Sequence, residues 1–304
     1  MKYNKIIFVE LSNRCNMDCA YCPYHLDTRP RQDMSLSMVQ KIADDLTEVD
    51  FVIAMMVSPL GEALLHPQIE ECCNTLKSDR YPLTLVTNGV ALKPEHAGLN
   101  LDALRISVET LTEAGFALRR TSAVFEDWLQ NICDFVVAWP AVYDLGLTLM
   151  VRSPLQVFGP EYDCLLGPDV GSAVTVNAFL ARIGSSVMVT PGQIHDNFSV
   201  VVLPRIKLIF RQMCYTNFTV EEPGVVVTPS TEVPLECRCH RSHVNIAVDG
   251  RATACCCSMN GQLYVGDIQT QSVQQILDYK ENMYLDLSGE WLCSRCKGTF
   301  RRIE

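Results

Sequence analysis

Five short apolar runs in the first half of the chain, each followed closely by polar or glycine-containing positions, most constrain its fold. They are residues 6–11 (IIFVEL), 51–57, 83–87, 103–108 and 145–151, with amphipathic stretches such as Met38 to Leu46 and Val124 to Val137 between them. Runs this short suit buried strands, and strands alternating with helical stretches predict βαβ units on a parallel sheet. Reactive groups in such architectures stand beyond the C-terminal strand ends. The residues at those places are Cys15, Gly61 with Glu62, Thr87-Asn88-Gly89, Ser107 with Glu109, and Arg152.

The chain has 304 residues, 48% hydrophobic and 20% charged, which is enough to bury a full core and unlike a disordered polymer. Its longest uninterrupted apolar run, Phe51 to Val57, is far below the roughly 20 residues of a membrane-spanning helix. Only Ile6 to Val9 separate Lys5 from Glu10, so no secretory segment opens the sequence. A cytoplasmic protein without a membrane partner is the expectation. Twenty-five basic against thirty-five acidic side chains, a net charge of -10, argue against nucleic acid, whose phosphates need a clustered basic surface.

Fifteen cysteines in a reducing compartment point to metal ligation rather than disulfides. Cys72, Cys73, Cys133, Cys164 and Cys214 are scattered and read as small buried hydrophobes. Cys15, Cys19 and Cys22 instead share one loop directly after the first strand. Three thiolates can ligate three irons of a four-iron cluster and leave the fourth iron open, since full protein ligation takes four cysteines. A zinc site completed by His25 is the competing reading.

The Cys-x3-Cys-x2-Cys spacing, with Asn16 after the first cysteine and Tyr21 before the last, resembles the signature of the radical S-adenosylmethionine superfamily. The resemblance covers about residues 5–155 and implies a partial (β/α)6 TIM-like barrel. It implies an open-iron 4Fe-4S cluster on Cys15, Cys19 and Cys22 that binds S-adenosylmethionine and reductively cleaves it to a 5'-deoxyadenosyl radical. Leu60 to Pro67 is similar to the family's second-strand segment, where Gly61 exposes backbone and Glu62 would hold the methionine ammonium. Ser107 and Arg120, with Arg119 as a substitute, resemble residues near the ribose and carboxylate. Tyr21, Asn88 and Arg152 complete the cofactor-binding set. Glu109 departs from the family's usual aspartate two places after the serine.

The C-terminal cysteines resemble the auxiliary-cluster domain of the SPASM and twitch branches. Val244 to Val248 leads into Asp249-Gly250, a hairpin turn signal, and the returning strand would bring Cys255 beside Cys237. Cys293 and Cys296 would complete one fully ligated auxiliary 4Fe-4S cluster. Cys239 could replace Cys237, and Cys256 or Cys257 could replace Cys255. Zinc remains open here, because Cys237-x-Cys239-His240-x2-His243 also offers nitrogen ligands. The expected organisation is a catalytic core over 1–155, the rest of the barrel with substrate contacts over 156–236, and the cluster domain over 237–304. Within 156–236, strands are expected at Ser186 to Thr190 and Phe198 to Val202, and a short helix at Ile206 to Gln212. A further helix is expected over Ser272 to Lys280.

The resemblance implies an oxidoreductase-type reaction, hydrogen abstraction followed by electron transfer to the auxiliary cluster, fed by a flavodoxin- or ferredoxin-type reductant. The early position of Cys15 leaves no room for a leader-binding domain and tilts the substrate towards a small natural-product-type molecule. Modification of a ribosomal peptide by oxidation, crosslinking or epimerisation is the alternative, as is sulfur insertion from the auxiliary cluster. A hydrogen-atom donor for epimerisation would come from Cys164, Cys214 or Cys257. A non-enzymatic metal-binding redox or scaffold module would not need Gly61-Glu62, Ser107 and Arg120 to follow the cysteine loop in order.

Overall fold

Six strands run parallel in chain order, as the alternation predicts. They are β1 (Lys5–Val9), β2 (Val52–Val57), β3 (Leu83–Thr87), β4 (Ala103–Glu109), β5 (Asp144–Val151) and, beyond the antiparallel β6 (Ser199–Leu203), β7 (Ile206–Gln212). This computed structural model describes residues 5–49, 52–57, 60–152, 162–212, 242–255, 258, 260 and 263–282. The architecture is the α/β, partial TIM-like barrel expected.

Period-two patterning sets the two faces of the sheet. Leu104, Ile106 and Val108 of β4 are fully buried against the helical layer, whereas Ala103, Arg105, Ser107 and Glu109 are half-buried on the other face, the barrel lumen. The outer layer includes α1 (Leu36–Thr47), α2 (Ile69–Leu76), α3 (Glu113–Ala117), α4 (Phe125–Val137) and α5 (Val170–Arg182). In α1 the Ser35 side chain accepts the Met38 N–H as an N-cap, and Val39, Ile42 and Leu46 form its buried stripe.

The C-terminal region continues the same sheet. After β8 (His243–Ile246) come β9 (Arg251–Thr253), β10 (Tyr264–Asp267) and α6 (Val273–Asn282). β8 lies parallel to β1 on the side away from β2, and β9 and β10 follow antiparallel. The expected hairpin at Asp249-Gly250 is therefore present. The helix expected over Ser272 to Lys280 is α6, which docks on the core. Buried Lys5 pairs with Glu281 at 3.1 Å, and the Val273 N–H donates to Asp45 of α1 at 3.1 Å.

Two local expectations differ from the structure, and one helix was not foreseen. Ile206 to Gln212 forms β7 rather than a helix, because Ile206, Leu208 and Phe210 alternate into the core. Ser186 to Thr190 is not a strand. Its Val189 N–H and C=O are instead satisfied by the Asn177 side-chain amide, at 2.7 and 2.9 Å. Finally, α5 occupies a stretch that carries no helical signal in its β-branched content.

Candidate functional site

The cysteine loop is fixed by hydrogen bonds at both ends and in its middle. Behind it, the Met34 N–H donates to Leu11 C=O at 2.8 Å, and the Asn13 side chain bridges Pro30 C=O and the Gln32 N–H at 2.8 and 2.7 Å. In the middle, the Asp18 and Ala20 N–H groups donate to Arg119 and Leu118 carbonyls at 3.2 and 2.8 Å. The Cys15 N–H donates to the Tyr24 hydroxyl at 3.0 Å, and the Cys22 N–H to Cys19 C=O at 2.9 Å.

A buried charge network holds the segment that returns from the loop. Arg29 grips Glu10 through two bonds of 2.7 and 2.8 Å and Asp27 through two of 2.9 and 3.0 Å. Asp27 also accepts from Arg31 at 2.8 Å. Glu10 accepts in addition from the Val248 N–H at 2.9 Å, at the end of the β8 segment. The network thus fastens the cysteine loop to the C-terminal hairpin.

Cys15, Cys19 and Cys22 rim one cavity of about 290 Å³ at the C-terminal strand ends. Tyr21, Gly61, Glu62, Asn88, Ser107 and Glu109 line it too, and so do Met17, Tyr24, Thr87, Arg119 and Met150. Gly61 has φ +76°, and a Cβ there would stand 2.3 Å from Ser12 C=O, so only glycine fits this close approach of two backbones. Glu62, 1% exposed, accepts N–H bonds from Asn88 at 2.7 Å and Leu64 at 3.0 Å. Burial nevertheless raises its carboxyl above the ordinary carboxylate range. Asn88 also directs its amide to the Cys15 sulfur at 3.7 Å and to Asn16 Oδ1 at 2.7 Å.

Arg119 is the buried cation of the cavity. It donates to the Ser107 and Val108 carbonyls at 2.8 and 2.9 Å, faces Glu109 at 3.8 Å and lies over the Trp128 ring at 5.2 Å. The Tyr21 hydroxyl donates to Glu109 in a short hydrogen bond. Glu109 itself has φ 61° at a register shift between β4 and β5, which turns its carboxylate to this partner.

Two expected cofactor residues stand apart from the lining. Arg120, with φ 45°, follows the end of α3 in a left-handed turn, and its neighbour Arg119 occupies the cavity instead. Arg152 is partly exposed and pairs with Asp163 at 3.3 Å. Met17, Tyr24 and Met150 had no signal beyond their nearness to cysteines or a strand end. Cys72, Cys73 and Cys133 are buried as expected, and Cys164 is half-buried. Cys255 is buried just beyond β9. Cys214, Cys237, Cys239, His240, Cys256, Cys257, Cys293 and Cys296 lie outside the described residues.

The donor set fits a multi-iron group better than one ion. Among the described residues, no three His, Cys, Asp or Glu side chains converge on a single metal position. A cluster takes each thiolate on a separate iron, so three cysteines around one cavity suit it. Burial pushes the thiol of Cys19 up to about 11, partly offset by Arg119, and that of Cys22 up to about 12. Metal binding would displace these protons. Among the described residues, no helix is long and apolar enough to cross a membrane.

Comparison with known proteins agrees with this geometry. A model of the radical SAM superfamily matches residues 9–142, and one of the SPASM iron-sulfur cluster-binding domain matches residues 237–297. A curated relative, the tungsten-containing aldehyde ferredoxin oxidoreductase cofactor-modifying protein of Pyrococcus furiosus, is 26% identical over 114 residues. That match spans 36% of this chain and 32% of the relative, so the chain aligns with about a third of its length. Among solved structures, BtrN in complex with AdoMet and 2-DOIA is 13% identical with a TM-score of 0.52, covering 97% of this chain and 93% of BtrN. Streptococcus suis SuiB bound to precursor peptide SuiA is 10% identical with a TM-score of 0.59, over 99% of this chain and 72% of SuiB. The anSMEcpe structure with AdoMet and Cp18Cys peptide is 14% identical with a TM-score of 0.54, over 97% and 89%. These likenesses carry the fold. The chain thus carries a radical SAM domain over residues 9–142 and a SPASM iron-sulfur cluster-binding domain over residues 237–297, which imply S-adenosylmethionine and a 4Fe-4S cluster as cofactors of the first and auxiliary iron-sulfur binding in the second.

Proposed function

We propose that the chain oxidises a small organic molecule by radical chemistry begun at the cysteine-rimmed cavity. When bound, the cluster and S-adenosylmethionine supply an electron and a sulfonium whose cleavage yields a hydrogen-abstracting radical. Cys15, Cys19 and Cys22 would hold the cluster. Glu62, held by two backbone N–H groups, would accept the ammonium of the cosubstrate, an interaction that favours its charged form against the effect of burial. Asn88 and Ser107, both in the lining, offer hydrogen-bonding groups for the remaining polar edges. Arg119 supplies positive charge beside the thiolates, and the Tyr21–Glu109 pair holds that guanidinium in place.

The observation that carries this reading is the convergence of three loop cysteines with Gly61, Glu62, Asn88 and Ser107 from successive strand ends on one cavity. A small molecule is the preferred reading, on likeness of fold to a protein solved with one. BtrN, solved with AdoMet and 2-DOIA, has the same fold. A peptide is the second reading, favoured by the like fold of SuiB, solved with its precursor peptide. Cys237, Cys255, Cys293 and Cys296 are the proposed auxiliary ligands, and their cluster would accept the second electron of a net oxidation.

Anaerobically reconstituted, reduced protein should release 5'-deoxyadenosine and methionine from S-adenosylmethionine. Cys15→Ala should abolish this. Glu62→Gln should raise the dissociation constant for S-adenosylmethionine by about tenfold or more, the scale of one charged hydrogen bond. Undiminished cleavage without Cys15 would refute the assignment.

A further inference from the structure

The lumen face of the sheet carries basic residues that the proposed cosubstrate site does not use. Arg105 of β4, Gly146 of β5 and Lys207 of β7 stand in one row across three strands, and Met150 of β5 stands beside Arg211 of β7. Arg105 lies two residues, about 7 Å, from Ser107, and both Ser107 and Met150 line the cavity. These rows share the cavity's face of the sheet, because in-register parallel partners point the same way.

Gly146 makes the arrangement possible. A Cβ there would meet the Arg105 stem at 3.3 Å and Ile209 at 3.2 Å. Without one, the Arg105 stem packs over the Gly146 backbone of β5. Burial first, and then the charge of Arg211, hold the Arg105 guanidinium below its ordinary range. Among the described residues, Arg105, Lys207 and Arg211 have no hydrogen bond or ion pair. Glu109, the acid on the same strand face, is engaged by Tyr21 and Arg119. Asp144, at the start of β5, is engaged by Arg205.

Arg105 is half-buried, whereas Lys207 and Arg211 are exposed to solvent, and like charges on one face repel one another unless an anion joins them. This chain also carries a net charge of -10, so the cations create a local positive field inside an acidic protein. Guanidinium forks match carboxylate and phosphate oxygens geometrically. We propose that Arg105, Lys207 and Arg211 form an anion-recognition subsite, and that the substrate presents a carboxylate or phosphate to them from the cysteine-rimmed cavity. This rests on the reading of that cavity as the place of reaction and adds the substrate's chemical class to it.

The test uses the full chain, reconstituted anaerobically and titrated calorimetrically with inorganic phosphate and, separately, with succinate, with and without S-adenosylmethionine. At least one anion should bind the wild type, and Arg105→Gln and Arg211→Gln should each weaken it more than tenfold. Which anion binds distinguishes a phosphate from a carboxylate substrate. Arg205→Gln, at the β6–β7 turn outside the lumen, should leave anion binding unchanged. S-adenosylmethionine affinity should stay within threefold in all three variants. The melting temperature of Arg105→Gln should equal or exceed that of the wild type, since like-charge repulsion is relieved. Wild-type binding no tighter than that of a variant carrying both Arg105→Gln and Arg211→Gln overturns the proposal. A parallel loss of S-adenosylmethionine affinity also overturns it by assigning the cations to the cosubstrate, and a fall in melting temperature above 5 °C does so by assigning Arg105 to packing. If wild-type protein binds no S-adenosylmethionine, the reading of the cavity fails, and the anion titrations without it still decide the subsite.

Discussion

Replacing Arg29 by methionine tests how far the cysteine loop depends on one buried cation. Arg29 and Glu10 have side chains 6% and 2% exposed, and the Asp27 side chain is fully buried. The substitution removes all four side-chain bonds from Arg29 to these acids and leaves its backbone N–H bond to Asp27. Asp27 keeps Arg31, but Glu10 keeps only the Val248 N–H among the hydrogen bonds described above. Glu10 is therefore the carboxylate left without a countercharge. Removing one partner of a buried ion pair costs about 3–5 kcal/mol, a large share of the roughly 5–15 kcal/mol that stabilises a typical domain. At about 2 °C per kcal/mol for a chain of this size, the melting temperature should fall by about 6–10 °C. The assay is thermal unfolding of cluster-loaded protein by circular dichroism, with iron content measured beside it. Adding Glu10→Met should restore most of the loss, because apolar replacement of a whole buried pair is often neutral or better. A fall below about 2 °C, or a double variant no more stable than the single, would refute the reasoning.

Two further outcomes follow from local geometry. Gly61→Ala forces a Cβ against Ser12 C=O at φ +76°, costing about 1–2 kcal/mol for the backbone conformation and more for the clash. Cluster occupancy, read by visible absorbance, should fall because the displaced segment runs directly into Cys15. His96 is 8% exposed, and burial lowers its pKa from the ordinary value near 6.5. As pH falls, the unfolded chain therefore takes up this proton first, and stability declines from about pH 6.5 until the lowered native value is passed. His96→Gln should flatten that part of the pH–stability curve in denaturant titrations, and an unchanged slope would remove the residue from the account.

The parts legible in the sequence were those written by period and spacing. β1 to β5 follow apolar runs whose neighbours are polar or turn-forming, and the cysteine loop, Gly61 and Glu62 stand at their ends. β7 was misread because the alternation of Ile206, Leu208 and Phe210 was passed over for a short helix, and with it went the lumen position of Lys207 and Arg211. α5 hides in Val170, Val174, Thr175 and Val176, residues with weak helix propensity, although Asp169 caps it by accepting the Ser172 N–H at 2.8 Å. Arg119 and Arg120 part at the end of α3, where the first is buried and the second exposed. Spacing cannot choose between adjacent arginines, whereas φ 45° at Arg120 does.

The placement of β8 beside β1 bears on how the chain is made. β1 leaves the ribosome well before β8, because the neighbour that covers its outer edge, with Phe8 opposite Asn245, is encoded about 240 residues later. At about 5–20 residues per second, the nascent chain carries that unpaired edge for roughly 10–50 seconds. During this interval Ile6 to Val9 can template pairing with another copy, so crowded polysomes and fast overexpression are the conditions under which this protein should be most prone to aggregate.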